Sequence, residues 1–274
     1  MQWKCRDKFI ELHQPPLRAA VMGIVNLTPD SFSDGGKLNG SQEGMERILS
    51  LARCGCAVVD IGGQSTRPGH TAISYDEEWL RIAPTLRLLR EHRQRGVKMP
   101  LISVDTYCPA VARQALDCGA DIINDVTGFA DPDMRRLAAE YGAGCVIMHS
   151  GDITACDDPV SAVREFFVRR VEECVRDGID RRCICLDCGI GFGKTRGQEV
   201  ELLQRMGECR VEGLPLLAAA SRKRVIAHIM GIDVPPDQRD EATHKAHLTA
   251  VNAGADMVRV HDAEGAYASL LAEE

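Results

Sequence analysis

The segment 26–34 offers an amide on Asn26, hydroxyls on Thr28, Ser31 and Ser33, carboxylates on Asp30 and Asp34, and one aromatic ring, Phe32. It follows directly on the apolar run 21–25, so it reads as a ligand-binding loop at the end of a buried strand. A second stretch, Asp60-Ile-Gly-Gly-Gln-Ser-Thr-Arg-Pro-Gly69, has glycines that let the backbone approach a ligand. Ser65 and Thr66 add hydroxyls, and the planar fork of Arg67 suits a diphosphate. Asp105, Asn124 and Asp187 each close an apolar run, and two carboxylates with an amide form an acceptor-rich wall for a heterocycle bearing N–H donors. Ala220-Ser-Arg-Lys-Arg224 and Val258-Arg-Val-His-Asp262 supply Lys223, Arg259 and His261 as donors for an anion; Arg222 and Arg224 are expected at the surface or in salt bridges.

Such residues are useful only if the chain gathers them. Apolar, β-prone runs occur at 21–27, 57–63, 100–106, 120–128, 144–150, 184–190, 215–221 and 257–262. Segments of helical spacing lie at 41–54, 76–95, 109–118, 132–141, 158–178, 198–208, 222–230 and 240–253. Strands too apolar to face water, alternating with helices, make a parallel sheet covered by helices. About eight repeats, with no dinucleotide-binding glycine fingerprint after the first strand, favour a closed TIM (β/α)8 barrel over an open sheet. No linker or composition shift divides it, so a single domain over 21–274 is expected after a short N-terminal lead-in over 1–20 with room for a hairpin.

Strand parity supports the same arrangement. Side chains two apart share a face, which groups Asn26 with Ile24 and Met22, Asp105 with Ser103 and Leu101, and Asn124 with Ile122. It also groups Met148 with Val146, Asp187 with Cys185 and Cys183, and His261 with Arg259 and Met257. Most series are small or apolar at the bottom and polar at the C-terminal end, where barrel enzymes collect their reactive groups and, after strands seven and eight, bind phosphate.

A net charge of −7 argues against a nucleic-acid partner. No run has membrane-spanning length and no signal-peptide pattern opens the chain, so the cytoplasm is expected. Twelve cysteines spread along such a chain read as reduced, mostly buried apolar fillers; Cys-x-Cys-x-x-Cys at 183–188 is a poor zinc pattern. His13, His70 and His92 have no motif around them and are expected at the surface.

Asn-Leu-Thr-Pro-Asp-Ser-Phe-Ser-Asp-Gly-Gly at 26–36 resembles the first signature of the dihydropteroate synthases, the folate-pathway enzymes inhibited by sulfonamides. The likeness continues through some eight ordered motifs to Asp262. It implies a barrel that joins 6-hydroxymethyl-7,8-dihydropterin diphosphate to p-aminobenzoate, releasing diphosphate, with Mg2+ as cofactor and a homodimer as assembly. Carried over by residue, Asp105, Asn124, Asp187 and Lys223 match the pterin-binding positions, with Met148 and Arg259 about the ring. Asn26 matches the magnesium ligand, Arg67, Arg259 and His261 the diphosphate contacts, and Phe32, Thr66, Pro68 and Ser221 the p-aminobenzoate pocket.

Several positions depart from the pattern: Gln64 for Glu, Cys188 for Pro, Ile190 for Phe, Ala219 and Ala242 for Gly, Ser150 for Met, and His244 and His247 for small residues. They bear on rate and pterin affinity more than on reaction class. A methyltetrahydrofolate-type methyltransferase shares the barrel and pterin wall, but the Phe32 loop and Thr66-Arg67-Pro68 argue against it. A non-catalytic pterin-binding paralogue is supported only by the departures. With Phe32 directly before Ser33 and no insertion at 66–68, ordinary competition by sulfonamides is expected.

Overall fold

The structure, a computed structural model, describes residues 1–28, 37–64 and 73–271. Ten strands and nine helices occur among them. Two short strands, β1 (Gln2–Cys5) and β2 (Lys8–Glu11), form an antiparallel hairpin. Eight parallel strands then close a barrel: β3 (Ala20–Asn26), β4 (Val58–Gly62), β5 (Leu101–Asp105), β6 (Ile122–Asp125), β7 (Gly144–Met148), β8 (Ile184–Asp187), β9 (Leu216–Ala218) and β10 (Met257–Val260). Closure runs through β10 onto β3, with Val258 opposite Val21 and Arg259 opposite Met22. The TIM barrel expected from the strand–helix rhythm is therefore the fold.

Around it lie α1 (Lys37–Arg53), α2 (Tyr75–Gln94), α3 (Pro109–Asp117), α4 (Pro132–Tyr141), α5 (Pro159–Arg176), α6 (Arg196–Gln204), α7 (Arg224–Met230), α8 (Asp240–Asn252) and α9 (Ala263–Leu270). Local chemistry starts them. Ser74, Asp131 and Asp158 accept first-turn N–H groups, and Thr195 forms a reciprocal capping box with Gln198. Helix α9 was not anticipated. Its sequence, Ala-Glu-Gly-Ala-Tyr-Ala-Ser-Leu, has too few large apolar residues for a clear period; its Asp262 cap and packing on α8 and β3 hold it. No described helix is long and apolar enough to cross a membrane.

The alternation of side chains divides the core in two. Val21, Val25, Ile102, Val104, Ile123, Ile147 and Leu186 pack outward with the helices. Met22, Val58, Ile122, Val146, Cys185, Leu217 and Met257 fill the barrel interior, and Trp3, Cys5, Ile10 and Leu12 of the hairpin close its floor from below. The parity series hold except for Cys183, which ends a 3-10 turn before β8 and belongs to the outer cluster. Trp3 is fully buried and donates its indole N–H to the Cys183 carbonyl at 2.8 Å. All twelve cysteines are free thiols, eight of them buried. His13, expected at the surface, is half-exposed and bonds Asp256 at 2.7 Å, tying the lead-in to the barrel floor.

Candidate active site

The strand ends converge at the upper mouth around Arg259. Its Nε donates to Asp60 Oδ2 at 2.7 Å and a terminal nitrogen donates to Asp105 Oδ2 at 2.9 Å. Asn124 Nδ2 donates to the same Asp60 oxygen at 3.0 Å. With its NH2 so committed, the Asn124 amide oxygen is left to act as an acceptor. Asp60 Oδ1 and Asp105 Oδ1 are buried without a hydrogen-bond partner among the described residues. One guanidinium thus serves two carboxylates. Burial pushes the Asp105 carboxyl up to about 7; Arg259 opposes this and Asp60 adds to it. Buried acceptors left unpaired are costly, so this wall is built to receive donors from outside the protein.

Asp60 was not anticipated as a site residue. Its position two before Gly62 gives it the inward parity of Asp105 and Asn124, and that was the available signal.

Asp187 and Lys223 form the next sector. Asp187, paired in register with Met148, is buried and accepts the Gly189 N–H at 2.8 Å. Burial raises its carboxyl above the usual range, against the pull of Lys223. Lys223 donates to the Ile190 carbonyl at 2.6 Å and lies 5.1 Å from the centre of the Phe192 ring. Its ammonium is lowered to about 8 by burial and by Arg259, with Asp187 opposing. Gly189 must be glycine: its φ is +68°, and a Cβ there would come within 1.9 Å of the His149 carbonyl. The departures Cys188 and Ile190 are fully buried within this loop, and Ala219 is almost fully buried.

At the third sector Ser221 Oγ and His261 Nδ1 are 2.9 Å apart, and the His261 N–H donates to the same hydroxyl at 3.1 Å. Arg47 of α1 donates to the His261 carbonyl. Behind them His247, one of the unusual histidines, accepts the Ala220 N–H on Nε2 at 3.1 Å. Burial lowers it to about 3, so it stays neutral. Arg222 pairs bidentately with Asp240 at 2.7 Å, as expected for a cation outside the site.

Asn26 ends β3 with its side chain exposed and its amide oxygen beside Gly62. No group of three or more His, Cys, Asp or Glu placed for a metal occurs among the described residues. One hard amide oxygen fits Mg2+, which retains water and draws further ligands from phosphate, and does not amount to a protein cage. Phe32, Thr66, Arg67 and Pro68, together with His70, lie outside the described residues.

Residues 22–261 match the family model described as pterin binding enzyme, and the chain belongs to that class of barrel enzymes. Dihydropteroate synthase of Streptococcus pyogenes is 38% identical over 245 residues, covering 89% of this chain and 90% of that protein. A probable bifunctional folylpolyglutamate synthase/dihydropteroate synthase of Halobacterium salinarum is 42% identical over 252 residues; the match takes in 89% of this chain but only 30% of that longer protein. The solved Xanthomonas albilineans dihydropteroate synthase with 4-aminobenzoic acid superposes with a TM-score of 0.89 at 38% identity, over 98% of this chain and 95% of that one. Within the pterin-binding class, the chain belongs to the dihydropteroate synthase family.

Proposed function

We propose that the chain condenses 6-hydroxymethyl-7,8-dihydropterin diphosphate with p-aminobenzoate, forming 7,8-dihydropteroate and releasing diphosphate. The observation that carries this reading is the pair of unpartnered buried oxygens on Asp60 and Asp105, beside an Asn124 amide whose oxygen is left as an acceptor. An aminopyrimidinone edge supplies the matching N–H donors. Asp187 adds a further acceptor and Lys223 a donor for the ring carbonyl.

In this reading the C–O bond to diphosphate breaks early. Positive charge grows on the pterin methylene, where the Asp105 and Asp187 carboxylates stabilise it. Arg259 and His261, with Arg67, are the proposed contacts of the departing anion. The arylamine nitrogen then attacks the methylene carbon with its lone pair and sheds a proton; it needs no protein nucleophile. Mg2+, held by Asn26 and the diphosphate, would supply electrostatic stabilisation of the leaving group. Phe32, Thr66, Pro68 and Ser221 are the proposed arylamine pocket. A homodimer belongs to the same reading, on the family resemblance.

The test is diphosphate release by the purified protein with the pterin diphosphate and Mg2+, with and without p-aminobenzoate. Release that depends on the arylamine and yields 7,8-dihydropteroate is expected, and Lys223→Ala or Asp187→Ala should abolish it in folded protein. Binding of the pterin with no turnover would point instead to the idle paralogue.

A further inference from the structure

Lys194 is a buried ammonium with no carboxylate within ion-pairing distance among the described residues, an expensive arrangement that calls for a purpose. Its Nζ contacts the carbonyls of Phe192 at 2.8 Å, Gly189 at 3.0 Å and His149 at 3.2 Å, and the ring nitrogen Nδ1 of His149 at 2.9 Å. Burial holds the His149 imidazole down at about 4, so the ring is neutral and its Nδ1 can accept a hydrogen bond from the ammonium. The His149 ring is fixed in turn, edge-on to Phe166 with centroids 4.9 Å apart.

The contacts fall on two loops, those after β7 and β8. Beside the carbonyls that Lys194 holds lie the two groups that set the site: the Gly189 N–H on Asp187 and the Ile190 carbonyl on Lys223. Two further bonds, His149 N–H to the Asp187 carbonyl at 2.9 Å and Ile153 N–H to the Gly193 carbonyl at 2.8 Å, join the same loops but reach neither side chain. Glu199 takes the Gly191 N–H at 2.9 Å from the other side. Among the described residues Lys194 is the one side chain that gathers carbonyls on both sides of Ile190.

We infer that Lys194, seated on His149, is a positioning residue for the pterin reaction: its ammonium cross-links the two loops so that Asp187 and Lys223 are presented to the ring in register. The inference rests on the proposed synthase activity. Lys194 touches no substrate in this scheme and donates no proton to it.

Wild type and Lys194→Ala are compared by circular dichroism, by steady-state kinetics against each substrate, and with added methylammonium, small enough to occupy the vacated space. The expected result is a loss of about 100-fold in kcat/KM for the pterin diphosphate, an unchanged KM for p-aminobenzoate, and partial recovery with methylammonium but not with tetramethylammonium. A purely structural lysine would instead lower Tm while leaving both KM values and kcat per folded molecule as in wild type, and that outcome overturns the inference. Should Lys194→Ala fail to fold, His149→Leu carries the test, since it keeps the ammonium and withdraws the ring acceptor. A raised pterin KM supports the inference and an unchanged one overturns it. Inactive wild-type protein would refute the synthase reading itself, which separates the two failures.

Discussion

At the scale of single residues, the site works by opposing burial to charge. Asp105 is pushed up and Lys223 pulled down, each by desolvation, so both titrate close to neutrality. The signs follow from the roles proposed for them. Asp105 accepts N–H groups most strongly, and on both oxygens, when ionised, so pterin capture should strengthen as pH rises through about 7. Lys223 donates fully only as an ammonium, so capture should weaken above about 8, a limb that Lys194 shares because burial also lowers it to about 8. The kcat/KM for the pterin diphosphate is therefore expected to be bell-shaped. Asp105→Asn should lose the acid limb along with most activity; an intact acid limb in that variant would assign it elsewhere. The bond from Asn124 to Asp60 decides which end of that amide meets the ligand. Asp60→Ala frees the amide to rotate and leaves Arg259 with Asp105 alone. A fall in pterin affinity of about tenfold or more is expected by titration calorimetry, on the scale of one charge-assisted hydrogen bond.

At the scale of elements, the two ends of the barrel divide the work. The mouth carries unpaired acceptors, whereas the floor is filled and bonded by the hairpin of β1 and β2. Lys8 and Arg93 both pair with Asp121 at 2.6 Å, and Arg6 caps the carbonyls of Leu116 and Ala120. The hairpin can be weakened without touching the chemistry. Trp3→Ala leaves a large cavity under the barrel and should cost about 3–5 kcal/mol in urea unfolding, with KM for both substrates unchanged. A changed pterin KM would mean that the floor and the mouth are coupled through the interior layer of Met22, Ile122, Val146 and Met257.

At the scale of the whole molecule, eight strands closed on themselves leave no sheet edge, and the site exists only while the ring is intact. A pterin that bridges residues from β4, β5, β6, β8 and β10 should bind the folded chain alone. At about 100 times its dissociation constant it should raise Tm by roughly 5–10 °C, measured by differential scanning fluorimetry. No shift at saturation would contradict a wall already assembled in the free protein.

The sequence by itself determined the barrel, because the apolar runs and their parity repeat with a period that local backbone geometry fixes. It also marked Asp105, Asn124 and Asp187, since a polar residue ending an apolar strand is visible in one dimension, and Lys223 and Arg259 as cations in two short polar stretches. Only the tertiary structure decided the partners: Asp60 beneath Arg259 and Asn124, Lys194 on His149, His247 behind Ala220. Those pairs join residues 27 to 199 positions apart, and hydrogen bonds depend on distances of a few ångströms that no spacing along the chain can encode.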